Sequence, residues 1–98
     1  MESNSVALSG RIAEIKPLRY TQAGIAVLEF RVSHTSWQIH GGMKRQAECE
    51  IQALALDEAA KSAARLNVGA SVKLTGFLAR RSKNSTQLVL HVNNVELE

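Results

Sequence analysis

Apolar and polar residues alternate with a period of two along most of the chain, broken by Gly, Asn and Ser clusters at intervals suited to a closed antiparallel sheet. Five strands and one helix follow from this pattern. In the first strand, about Ser5 to Ile15, Val6, Leu8 and Ile12 point one way, and Gly10 occupies the place of a side chain, as at a bulge or sharp bend. Pro17 and Gly24 mark a loop before the second strand. That strand, about Ile25 to Gln38, puts Leu28, Phe30, Val32 and His34 on its core face and Glu29, Arg31, Ser33, Thr35 and Trp37 on the other. After Gly41-Gly42 the chain returns from Lys44 to Leu56, with Ala47, Cys49, Ile51 and Ala53 in phase against Gln46, Glu48, Glu50 and Gln52.

The only helical stretch, Asp57 to Leu66, is rich in Ala, acidic at its start and basic in its last turn, with Asn67 to stop it. A fourth strand follows, with Val72, Leu74 and Leu78 inward and Gly76 again spaced for a bend. After the polar loop Ser82 to Thr86, Leu88, Leu90 and Val92 alternate through a fifth strand, and Val95 and Leu97 close the chain. Three strands, a helix and two strands make the order of an all-β, five-stranded OB-fold Greek-key barrel whose one short helix lies between strands three and four. A plain SH3-like barrel gives no reason for that helix or for Gly inside both strands one and four.

Length and composition change little in this picture. The 98 residues leave room for one domain, 1–98, and 45% apolar residues suffice for a core built from aliphatic side chains, since aromatics are only 4%. No segment is long and apolar enough for a transmembrane helix, and the start lacks the basic and apolar stretches of a signal peptide, so the expectation is a cytoplasmic protein with no membrane partner. The lone Cys49 is expected to be a small buried hydrophobe.

Chemistry is sparse. No P-loop, nucleophile elbow, HExxH or Rossmann fingerprint appears, so no enzyme is expected. His34, His40, His91 and Cys49 have no recognised ligand spacing; no metal and no cofactor follow from them. The net charge of +3 leans towards polyanions, and its distribution is more informative. Lys44 with Arg45, and Arg80, Arg81 with Lys83, form two acid-free basic groups in apparent turns. They read either as solvated turn charge or as a track for one nucleic-acid backbone, because in an OB-fold both turns flank the oligonucleotide face. Trp37, out of phase with the core, is either a base-stacking platform or a residue whose phase a bulge has shifted, or one packed under a loop or in a dimer contact. Tyr20 reads as a loop anchor or, less simply, a second platform.

Asn4 to Gly10, Pro17-Leu18-Arg19, Gly24, Phe30, Lys44 to Ala47, Val68-Gly69, Gly76-Phe77 and Leu88 to His91 resemble the primosomal replication protein N, or PriB, family over nearly the whole chain. That family is similar to bacterial single-stranded DNA-binding protein, which continues into a flexible acidic-tipped tail, whereas this chain ends at Val95-Glu96-Leu97-Glu98. The resemblance implies a non-catalytic homodimer of OB-folds that binds single-stranded DNA and bridges a primosomal helicase to other primosome proteins at stalled replication forks. It implies DNA contacts at Met43, Lys44, Arg45, Arg81 and Lys83. Glu48 stands where family members carry Trp, and Met43 where an aromatic is expected, which together imply weak DNA binding. Trp37 and Arg80 complete the expected interface. Two other readings stay open: a protein-interaction hub with incidental nucleic-acid contact, favoured by Glu48 and Glu50, and an RNA-binding barrel.

Overall fold

The computed structural model describes residues 2–98. Five long strands, β1 (Val6–Ile15), β3 (Ala26–His40), β4 (Met43–Leu56), β5 (Ser71–Arg80) and β6 (Leu88–Leu97), close into a barrel. A two-residue strand, β2 (Arg19–Tyr20), pairs with the start of β3 inside the expected loop. Around the barrel the order is β1-β5-β6-β4-β3, and β3 returns to β1. The sheet is mixed, because β4 and β6 run parallel through Ala53↔Leu90 to Ala55↔Val92, where the sequence pattern suggested antiparallel pairing throughout. The helix α1 (Asp57–Ala64) accounts for this: it carries the chain off the end of β4 before β5 and β6 fold back as an antiparallel pair.

The alternation in β3 produces the core. Leu28, Phe30 and Val32 are buried, with Ile12, Val72, Leu74 and Leu90 from the facing strands and Ala60 and Ala63 from the helix. Each fully buried large apolar side chain of this kind stabilises the fold by roughly 1.5–3 kcal/mol. The helix is shorter than its sequence pattern, ending at Ala64, because the backbone N–H of Arg65 turns to the Ser62 carbonyl and Leu66 to Ala63. Both in-strand glycines sit at corners. A Cβ on Gly10 would collide with the Ser33 carbonyl oxygen and the Val32 side chain, and one on Gly76 would collide with the His91 carbonyl oxygen. At Gly76 the register against β6 also slips, from Thr75↔Asn94 to Gly76↔Val92, so that Asn93 bulges. Leu90 and Val92 are buried in the expected phase, whereas Leu88, in the same phase but on the last rung of the β5–β6 pair opposite Arg80, is exposed instead of buried.

The longest elements determine the shape. β3 and β4 pair without interruption from Val27↔Leu56 to His40↔Met43, and Gly41 and Gly42, both with positive φ, make the two-residue turn that such a tight hairpin requires. Beyond Val32 and Ile51 none of the ribbon's side chains is buried, so its outer part projects from the barrel and stretches the molecule to 50 × 31 × 23 Å. Cys49 lies in this projecting part, paired with His34, and is exposed instead of buried. Its phase is that of the core, but the barrel ends before reaching it.

Candidate nucleic-acid interface

Because the β3–β4 register has no bulge, residues directly opposite each other share a face. One face of the ribbon carries Glu29, Arg31 opposite Gln52, Ser33 opposite Glu50, Thr35 opposite Glu48, Trp37 opposite Gln46, and Ile39 opposite Lys44. It is the outer face, since the alternate positions Phe30, Val32 and Ala53 line the core. Trp37 is 61% exposed there, and Lys44 places its Nζ 5.2 Å from the ring centroid. A cation held over an exposed indole offers a base an aromatic partner and a phosphate a charge within one residue's reach.

The expected contacts therefore divide between two faces. Trp37, Lys44 and Glu48 share the outer face, whereas Met43 and Arg45, opposite His40 and Gln38, point to the other side of the ribbon. Both are exposed near the tip, Met43 to 61%. Arg80 ends β5 and donates from Nη1 to the Lys83 carbonyl oxygen at 3.1 Å, so it braces its own loop, while Lys83 is exposed on it. Arg81 reaches the outer face: its Nη2 lies 2.6 Å from Glu29 Oε1. One member of each basic group, Lys44 and Arg81, accordingly sits at either end of the outer face. From Glu29 to Trp37 the strand rises about 27 Å.

Between the two ends lies an ion-pair ladder that sequence patterning did not reveal. Glu29 is held from two sides, by Arg81 and by Arg19 Nη2 at 3.2 Å. Arg31 bridges Glu14 on β1 (3.2 Å) and Glu50 on β4 (3.3 Å), and Ser33 Oγ donates to Glu50 Oε2 at 3.1 Å. Burial raises the Glu29 pKa, but the hydrogen bond from Arg19 and the charges of Arg81 and Lys16 outweigh it and hold the carboxyl below its usual range. Alternation put Glu29 and Arg31 on this face, and the only sequence cue to Arg19 was its place beside Pro17 in the loop. That two loops would converge on Glu29 is a tertiary fact. Of the other aromatics, Tyr20 is 59% exposed on β2, and Phe77 stacks on His91 with ring centroids 5.2 Å apart.

An OB barrel with this open, aromatic-bearing ribbon has the architecture of single-strand binding proteins, and a model described as "another single-strand binding protein family" matches residues 4–94. A replication restart protein PriB of Nitrosomonas europaea is 40% identical over 94 residues, 96% of this chain and 87% of the relative. The chain belongs to the PriB family of replication restart proteins. The solved structure of PriB from Ralstonia solanacearum superposes with a TM-score of 0.90 at 29% identity, covering 99% of each chain. The single-stranded DNA binding protein of Thermus aquaticus shares the fold, with a TM-score of 0.78 at 18% identity over 98% of this chain and 50% of that one.

Proposed function

We propose that this chain is a non-catalytic, single-stranded DNA-binding component of the replication restart primosome, working in the cytoplasm as a homodimer that bridges the primosomal helicase to other primosome proteins. The observation that carries the reading is the exposed Trp37 with Lys44 at 5.2 Å on the outer ribbon of an OB barrel, in a chain of the PriB family. A strand laid along β3 and β4 would stack a base on Trp37, set phosphates against Lys44 at one end and against Arg81 and Lys83 at the other, and pass Glu48 between them. Glu48 presents a carboxylate and no π-face at the middle of this path, which makes the binding weak. Met43 and Arg45, on the opposite side of the ribbon, would be reached only by a strand that wraps the hairpin tip.

Glu48 and Glu50, both exposed on the outer face, favour a second reading in which the ribbon mainly docks basic protein partners. Titration of fluorescent single-stranded DNA, single-stranded RNA and duplex oligonucleotides at two salt concentrations separates the two. The DNA-binding reading expects single-strand binding that weakens with salt at a slope of about −0.7 per phosphate neutralised. Binding to none of the three rejects it in favour of the hub, and preference for the RNA strand moves the reading to RNA.

A further inference from the structure

The pairing at Glu29 is unusual for a surface contact. Its side chain is only 16% exposed, and two guanidinium groups from different parts of the chain close on it: Arg19 from β2 at 3.2 Å and Arg81 from the β5–β6 loop at 2.6 Å. Two converging guanidinium groups form a seat for a group with several acceptor oxygens, and a phosphate fits that description at least as well as a carboxylate. The seat lies on the outer face of β3, in line with Trp37 and Lys44 further along the ribbon. Neither arginine is needed to neutralise anything in the core, which has no buried polar or charged side chain among the described residues.

We propose that Arg19 and Arg81 form a phosphate-binding seat whose resident occupant in the free protein is the Glu29 carboxylate, so that a bound strand must displace Glu29 to use it. This rests on the single-strand binding reading above and deepens it, by giving the far end of the path a second cation, Arg19, and a built-in competitor. Displacement is feasible because both arginines can be reached from solvent, their side chains being 58% and 44% exposed, and each exchanges one anion for another. The backbone is not disturbed, since the Lys16 N–H bond to the Glu29 carbonyl oxygen and the strand pairing of Glu29 with Leu54 involve main-chain atoms alone. The competitor would hold affinity low and concentrate its salt dependence at one end of the ribbon.

The test is the affinity of Glu29→Gln for an oligothymidylate, measured by anisotropy between low and high salt beside the unmodified protein and Glu58→Gln. Glu58, in the first turn of the helix and paired with Lys61 instead of with either arginine, controls for the same change in net charge. The proposal expects Glu29→Gln to bind about fivefold or more tightly at low salt, with a slope steeper by about 0.7 to 1.4 for one or two further phosphate contacts. Adding Arg19→Gln and Arg81→Gln should abolish the gain, and Glu58→Gln should show none of the steepening. Equal or weaker binding by a folded Glu29→Gln protein overturns the proposal and assigns Glu29 a purely structural role, with the single-strand reading intact if the unmodified protein binds. Should the unmodified protein not bind at all, that reading fails and the seat with it. A second measurement needs no variant: NMR titration of the Glu29 carboxyl, faced by Arg19, Arg81 and Lys16, should show its pKa rising towards the ordinary glutamate value when saturating oligothymidylate is present. A Glu29 pKa unmoved by saturating oligonucleotide also overturns it.

Discussion

Replacing Glu48 with Trp should convert the weakest point of the outer ribbon into a second stacking platform. Glu48 is exposed opposite Thr35 and makes no ion pair among the described residues, so its loss breaks no stabilising contact. Trp37 stands opposite Gln46, which makes position 48 its diagonal neighbour, with the two Cβ atoms about 7 Å apart. That is twice the roughly 3.5 Å of close van der Waals contact, the spacing at which one base fits between two rings. A base stacked on an aromatic contributes about 1–3 kcal/mol, so binding should tighten about 5- to 150-fold. Removal of the carboxylate adds an electrostatic share that Glu48→Gln measures alone. At 1 M salt, where the screening length is about 3 Å, the Gln variant should match the unmodified protein while the Trp variant keeps its advantage. Anisotropy of a labelled oligothymidylate, with circular dichroism to confirm the fold, reads both. Unchanged single-strand affinity in a folded Glu48→Trp protein would refute the path along the outer ribbon.

Three further outcomes follow from the same structure. Gly76→Ala sets a Cβ against the His91 carbonyl oxygen at the β5–β6 register slip and should cost about 1–3 kcal/mol, seen as a melting temperature lower by roughly 4–8 °C per kcal/mol. The lowered Glu29 pKa means that its ion pairs contribute stability above the ordinary glutamate value of 4.5, and this is lost as pH falls through the lower folded value; acid should therefore destabilise the unmodified protein more than Glu29→Gln. Sedimentation at micromolar concentration should give about twice the chain mass of 10.7 kDa, and a species at 10.7 kDa would reject the homodimer.

Period-two alternation carried most of the fold because a half-buried strand must repeat its apolar positions every second residue. Phe30 and Val32 in the core and Trp37 outside it were legible for that reason. Alternation, however, records phase and not how far the barrel extends, which is why Cys49 keeps the core phase of Ile51 while standing in solvent. Leu88 failed for the same cause: it keeps the phase of the buried Leu90 and Val92 but stands on the last rung of the β5–β6 pair, opposite Arg80, and is exposed. At the interface, the grouping of Lys44 with Arg45 by adjacency misled, since neighbours in a strand face opposite ways. Arg81 was visible as a loop cation, whereas its partnership with Glu29 and Arg19 depends on two loops meeting across the barrel.

Trp37 is the only tryptophan in the chain, so its fluorescence reports on one point of the proposed path and nowhere else. It is 61% exposed in the free protein. Titration with an unlabelled oligothymidylate at low salt should quench this emission saturably, with the affinity found by anisotropy, and added salt should reverse the quenching. Saturable oligonucleotide binding by anisotropy with Trp37 emission unchanged would place the strand elsewhere on the barrel and contradict the account.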